Sequence, residues 1–283
     1  MDYSDKLATI EGLHSFMQSI RGKKVVIKYG GAAMKDAKLI EQVIANIILL
    51  KDFGLQCIIV HGGGPAINQC LEQLQIQPSF NQGVRVTDST TMEVVQMVLA
   101  GQVNKNIVAM LNKSDAKAVG LSGHDNNFIR ALPIDTIENN RVGKIHFINT
   151  DIVNLLLDNN YIPVIAPIGV NAMGLSYNIN ADIVAATLAS ELQANMLVML
   201  TDTPGILKDC NDLNSVLASL TSTQVTDLIH KGDIFGGMIP KVESCLYALD
   251  EGVPVVKIID GRISNSLLLS LINDIPLGTT IIH

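Results

Sequence analysis

The chain has 283 residues, 48% of them hydrophobic and 17% charged, with a formal net charge of −7. That is long enough for one or two buried cores and too apolar for a disordered chain. The acidic balance argues against a nucleic-acid partner, and no apolar run reads as a membrane span, so no membrane partner is expected either.

Four scattered cysteines without a CxxC pair (Cys57, Cys70, Cys210, Cys245) fit reduced thiols better than zinc or a disulfide framework. The opening MDYSDKLATIEG carries acids early and lacks an apolar h-region. Neither a signal nor a transit peptide is expected there.

In chain order, the first element is a helix in DKLATIEGLHSFMQSIRGKK, with Leu7, Ile10, Leu13, Phe16, Met17 and Ile20 on one stripe. Next comes VVIKYGG, Val25 to Gly31, whose β-branched run suits a strand covered on both faces. Lys28 sits at its tip, beside Gly30 and Gly31. Lysine is rarely buried without a partner, and paired glycines leave amides open to close approach, so an anion is expected there.

A helical stripe follows at Leu39, Ile40, Val43, Ile44, Ile47 and Ile48, ending at Asp52-Phe53-Gly54. Gln56–Val60 is a second buried strand. It leads into His61-Gly62-Gly63-Gly64-Pro65, a strand-to-helix turn able to hold an anion on its amides. Ile67, Cys70, Leu71 and Leu74 face inward on the helix that Pro65 opens. His61 reads as a satisfied strand-end histidine, since no neighbouring motif supplies an acid–base partner.

Further strands are expected at 118–121, 162–166, 196–200 and 253–259, with helices between them. Asn178-Ile179-Asn180-Ala181-Asp182 precedes an apolar periodic run and carries more polar groups than capping needs. Gly236-Gly237-Met238-Ile239-Pro240-Lys241 opens another helix with a lysine in its first turn, where a cation is misplaced unless an anion sits beside it. Arg85, in QGVRVT, offers a fork suited to a carboxylate.

VVIK and Asp52-Phe53-Gly54 imitate protein-kinase motifs. They lie too close together, and no glycine-rich or HRD loop accompanies them. GxxxxGK[ST] and GxGxxG are both missing, so phosphate must be held differently. The alternation of strands and helices predicts an α/β fold, a three-layer α/β/α sandwich on a largely parallel sheet. Its ligands should lie at the carboxyl ends of the strands.

KYGG, HGGG, GVRVT (83–87), NINAD (178–182), TDTPGIL (201–207), GGMIPK (236–241) and VKIIDGR (256–262) occur in one register. Together they resemble the amino acid kinase family, and within it the members that phosphorylate N-acetyl-L-glutamate. The resemblance implies an N-terminal helix over 1–21 for oligomerisation and a kinase domain over 22–283. Within that domain an acyl-substrate lobe would span about 22–172 and a nucleotide lobe about 173–283. The implied reaction converts ATP and N-acetyl-L-glutamate to ADP and N-acetyl-L-glutamyl 5-phosphate, the second step of arginine biosynthesis.

The resemblance also assigns roles. Lys28, Lys241 and Asp182 would be catalytic. Gly62, Gly63, Arg85 and Asn178 would bind substrate, with Arg85 on its α-carboxylate and Asn178 near the acetamido group. Gly30, Gly31, Asp202, Gly205, Gly237 and Met238 would bind nucleotide. Magnesium would travel with ATP, with no metal site on the protein.

The chemistry suits these residue types. A side-chain carboxylate has a pKa of about 4.3 and needs no general base at neutral pH. A loose phosphoryl-transfer transition state needs in-line positioning and positive charge. Sibling kinases acting on carbamate, aspartate, glutamate or UMP are the nearest rivals, and a nucleotide-binding sensor without activity is a more distant one.

RVTDSTTMEVVQMVLAGQVNK (85–105) resembles cyanobacterial and algal-plastid members. It points to a chloroplast stroma, with a bacterial cytoplasm as the alternative; the resemblance to that lineage, not any residue of the stretch, makes the PII signalling protein a candidate partner. The arginine-inhibited branch of the family forms a homohexamer, a trimer of dimers, through its N-terminal helix. That branch usually has histidine where this chain has Lys257, glutamate where it has Ser270, and an acidic-glycine loop where it has DIPLGT. Weak or absent arginine feedback is therefore expected.

Overall fold

The computed structural model describes residues 3–34, 36–81, 84–137, 139–209, 211–272 and 277–283. Gly83, Cys210 and the first half of the DIPLGT loop, Asp274 to Pro276, lie outside them. Of the described cysteines, Cys57, Cys70 and Cys245 are free thiols.

Among the described residues an eight-stranded sheet forms the middle layer. Its order is Ser219–Thr221, Thr279–Ile282, Val256–Asp260, Met196–Thr201, Lys24–Tyr29, Gln56–His61, Ile162–Ile165, Ala118–Leu121. Every neighbouring pair is parallel except Val256–Asp260 with Thr279–Ile282. The expected α/β/α sandwich is therefore present. From Lys24–Tyr29 the chain first builds towards Ala118–Leu121 and later returns to add Met196–Thr201 on the other side. That reversal opens a crevice at the carboxyl end of the first strand.

The two-residue period of a strand decides what each side chain of VVIKYGG meets. Val25, Ile27 and Tyr29 belong to the core shared with helices Ala37–Asp52 and Asn104–Asn112. Val26 belongs to the opposite core, with helices Ala181–Glu191 and Met238–Asp250. Lys28 shares Val26's face, so it points at those two helices. His61 shares the face of Cys57 and Ile59 and points the other way.

Three features depart from the sequence reading. Leu74 is 51% exposed, because the helix Gly64–Gln73 ends just before it and Leu74 is only its cap. Residues 129–178 contribute a separate four-stranded sheet of Ile129–Pro133, Gly143–Ile148, Ile168–Val170 and Ser176–Asn178, which no alternating pattern announces. Ser89–Asn112 forms one continuous helix of 24 residues that is long and apolar enough to cross a membrane by length and composition. Here Val95, Val98, Leu99, Val103, Ile107 and Leu111 are buried in the core, which accounts for that apolarity.

Candidate active site

Three of the charged residues singled out in the sequence, Lys28, Asp182 and Lys241, converge. Asn180 caps the helix Ala181–Glu191, its side chain accepting from the Asp182 amide at 2.7 Å. Capping is thus done by Asn180, and the Asp182 carboxylate is left to point across the crevice. Lys28 Nζ lies 2.9 Å from Asp182 Oδ1, and Lys241 Nζ lies 2.8 Å from Oδ2. The Lys241 contact is also an aligned hydrogen bond, whereas the Lys28 contact is an ion pair without that alignment.

All three side chains are nearly buried, with 11–13% of their surface exposed. Burial by itself would raise the Asp182 pKa, but the two ammonium groups more than reverse it and hold it at about 2. Burial lowers the Lys28 pKa, and the neighbouring carboxylate opposes that drop. One carboxylate therefore holds two cations at a strand tip and a helix mouth. The helix Met238–Asp250 starts without a side-chain cap; its Met238 and Ile239 amides donate to Phe235 and Gly236 carbonyls, and Lys241, in its first turn, is paired with Asp182.

The glycines frame this triad. Gly30 is buried, and a Cβ there would come 2.8 Å from Lys28 Nζ, so its absence leaves room for the lysine. Gly31 has φ +66 and lies beside Asp202. Gly62, Gly63 and Gly64 line a cavity of about 640 Å³ together with Lys28, Gly31 and Gln102. The Gly62 N–H donates to the Tyr29 carbonyl at 2.7 Å, so the expectation that both turn amides are open to ligand is corrected: Gly62's is taken by the sheet. Gly237 is the N-cap and Met238 the first residue of the Lys241 helix. Gly205 is also constrained by packing, since it is buried and a Cβ there would meet Thr279 Oγ1 at 2.7 Å.

Arg85 and Asn178 lie outside the lining of that cavity. Arg85 is 7% exposed and stacks over Phe80 at 4.7 Å. Its Nη2 donates to Asn68 Oδ1 and to the Gly64 carbonyl, while Nη1 is buried without an acceptor. A buried guanidinium with an unused donor is poised for an anion. Asn178 Nδ2 donates to Thr87 Oγ1 at 3.2 Å, and Thr87 Oγ1 donates to the Arg85 carbonyl at 3.0 Å. The sequence reading missed Asn68 and Thr87. Asn68 sits within a helix and carries no motif, whereas Thr87 ends the GVRVT run and could have been found there.

The sequence model described as "Amino acid kinase family" matches residues 23–260, most of the chain. The chain belongs to the amino acid kinase family. An acetylglutamate kinase from Porphyra purpurea is 46% identical over 268 residues, covering 95% of each chain. One from Prochlorococcus marinus (strain MIT 9313) is 45% identical over 281 residues, covering 99% of this chain and 91% of its own.

Among solved structures, N-acetylglutamate synthase from Neisseria gonorrhoeae, complexed with coenzyme A and N-acetyl-glutamate, superposes with a TM-score of 0.85 at 25% identity. The match takes in 98% of this chain but 63% of the synthase chain, so the synthase has a further portion without counterpart here. Carbamate kinase from Giardia lamblia, bound to AMP-PNP, has a TM-score of 0.68 at 18% identity and shares the amino acid kinase fold.

Proposed function

We propose that the chain transfers the γ-phosphoryl group of ATP to the side-chain carboxylate of N-acetyl-L-glutamate, the second step of arginine biosynthesis. The observation that carries this is Asp182 holding Lys28 and Lys241 at the strand carboxyl ends, in a chain 43–46% identical to proteins named acetylglutamate kinase. Lys28 and Lys241 neutralise charge on the travelling phosphoryl oxygens. Asp182 has no proton to remove and orients both cations.

Arg85, through its unpartnered Nη1, receives the substrate's α-carboxylate, and Asn178 meets the acetamido end. Gly63, and Gly62 through its Cα, allow close approach of substrate. Gly30, Gly31, Asp202, Gly205, Gly237 and Met238 form the nucleotide side. The domain boundaries of the sequence reading, 22–172 for the acyl lobe and 173–283 for the nucleotide lobe, belong to the same proposal. Among the described residues no cluster of three or more His, Cys, Asp or Glu could cage a metal, and the Asp182 oxygens are taken by lysines. Magnesium would arrive with the nucleotide, where it offsets phosphate charge.

ADP release by the purified chain with ATP and N-acetyl-L-glutamate, set against carbamate, aspartate, glutamate and UMP, tests the reading. Release with N-acetyl-L-glutamate alone supports it, and a preference for any other acceptor removes it.

Arg85→Lys should raise KM for N-acetyl-L-glutamate about 10–100-fold, the scale of one charged hydrogen bond. KM for ATP should stay within about threefold. Equal rises in both constants would take Arg85 out of the acyl site.

Assembly and location extend the proposal. On the helix Tyr3–Ile20, Leu7 is 57% exposed, Ile10 64% and Leu13 37%, which supports burial against a second copy and a homohexamer built from dimers. Light scattering should show hexamers for the full chain and dimers after deletion of residues 1–20. Dimers from the full chain would end the assembly claim. Ser270 donates to Leu267 O within its own helix and offers no anion, in keeping with weak arginine feedback. Relatives from Porphyra and Prochlorococcus support a plastid stroma, with a bacterial cytoplasm as the alternative. Co-elution with the PII protein is the test of that partnership.

A further inference from the structure

His61 makes no contact with the charged triad, yet its surroundings are fully specified. It is completely buried, with Nδ1 2.8 Å from the Gly62 carbonyl and Nε2 3.2 Å from Asn104 Nδ2. Asn104 is 1% exposed, and its Nδ2 also donates to the Val164 carbonyl at 2.8 Å. A carbonyl can only accept, so the amide nitrogen of Asn104 must face both groups. His61 Nε2 is then the acceptor, and the ring proton sits on Nδ1, donating to Gly62 O. Burial keeps the ring neutral, with a pKa pushed down to about 4.

This fixes a peptide plane. In a trans peptide the carbonyl of one residue and the N–H of the next point in opposite directions. With the Gly62 carbonyl drawn inward by His61, the Gly63 N–H is turned away from that core. It has no backbone acceptor among the described residues, whereas the Gly62 N–H is held by Tyr29 O.

The brace has a second arm. Asn104 follows directly on a π-helical stretch, Met97–Val103, within the long helix. The same stretch presses Leu99 and Val103 against Gly63, where a Cβ would run into Leu99. The wider π turn changes the helix phase, and a single segment thus delivers an apolar wall to Gly63 and a polar hold to His61. The hold leaves Asn104 Oδ1 buried without a partner, a cost that a merely space-filling residue would not incur.

We infer that His61 and Asn104 are positioning residues, a buried brace that sets the Gly62–Gly63 peptide so that the Gly63 amide faces the reacting groups. The catalytic part of this rests on the proposed kinase reading, while the brace itself does not.

The test uses the full-length protein with His61→Leu, His61→Asn and Asn104→Leu. Asparagine can place an amide N–H near the position of the histidine Nδ1, so His61→Asn should restore the bond to Gly62 O. Two readouts separate the claims. Hydrogen exchange at the Gly62 amide should speed at least about tenfold in His61→Leu and Asn104→Leu. It should return towards the parent rate in His61→Asn, while amides at the centre of Lys24–Tyr29 keep their protection.

Turnover with ATP and N-acetyl-L-glutamate should fall about 10–100-fold in kcat in the two leucine variants, the scale for a misplaced donor. It should recover to within about fivefold in His61→Asn, with both KM values shifting less than about threefold. Unchanged Gly62 exchange in His61→Leu overturns the brace. Equal losses in His61→Leu and His61→Asn overturn it too, since they reveal a demand for bulk alone. If His61→Leu does not fold, Asn104→Leu set beside His61→Asn decides by the same exchange readout. If the unmodified chain shows no turnover with N-acetyl-L-glutamate, the kinase reading has failed, and the exchange rates still decide the brace.

Discussion

Lys28→Ala and Lys241→Ala should each lower kcat by roughly 10²–10⁴, the scale for removing a preorganised charge aimed at the transition state. The two cations reach one carboxylate from different layers of approach. Lys28 comes from the tip of a central strand, and Lys241 from the first turn of a helix packed over that strand's face. Neither can stand in for the other, because each is fixed by its own element. Both side chains sit at the crevice mouth rather than in the apolar layers, so truncation should leave the fold intact. Steady-state kinetics on folded variants, confirmed by circular dichroism, provide the check. Near-normal kcat in either variant removes that lysine from the mechanism.

Asp182→Asn should also cost about 10²–10³ in kcat, for a different reason. Asparagine is nearly isosteric but uncharged, so two nearly buried ammonium groups lose the counterion they share. The Lys28 pKa is already lowered by burial, and the carboxylate is the main influence raising it. Without it the pKa falls further, and the alkaline limb of the kcat profile moves to lower pH. Asp182 itself has a folded pKa of about 2, below its ordinary 3.8. Its contribution to stability is therefore complete above about pH 4 and fades as pH falls through 2. The variant lacks that contribution at neutral pH, and breaking a buried ion pair on one side costs on the order of 3 kcal/mol. A lower urea midpoint together with a shifted alkaline limb is the expected pair of results. A loss of kcat with neither change would mean that Asp182 does more than hold the lysines.

The charged triad was legible in the sequence because each member breaks a local rule. A lysine ends a buried strand, another stands at a helix N-terminus, and a carboxylate lies next to an asparagine that already serves as the cap. Six of the sheet's eight strands were legible too, as largely apolar runs, whereas Ser219–Thr221 and Thr279–Ile282 at one end of the sheet were not. What escaped was whatever depends on contacts between distant segments. Ile129–Pro133 and Gly143–Ile148 pair antiparallel across a bulge between Arg130 and Ala131, and that interruption blurs their period. Asn68 and Asn104 look like ordinary helix residues and gain meaning only through Arg85 and His61, 17 and 43 positions away. Gly205 stands in a motif associated with nucleotide, and a need that the sequence did not show, the approach of Thr279, also requires its lack of a side chain.

The central claim is that phosphate reaches a carboxylate oxygen of N-acetyl-L-glutamate, and trapping the acyl phosphate tests it most directly. The purified chain would be incubated with ATP, magnesium, N-acetyl-L-glutamate and hydroxylamine, which converts an acyl phosphate to a stable hydroxamate. The account predicts hydroxamate in step with ADP, absent without N-acetyl-L-glutamate and abolished in Lys28→Ala. ADP release without hydroxamate would contradict it, as would hydroxamate formed as readily from aspartate or glutamate.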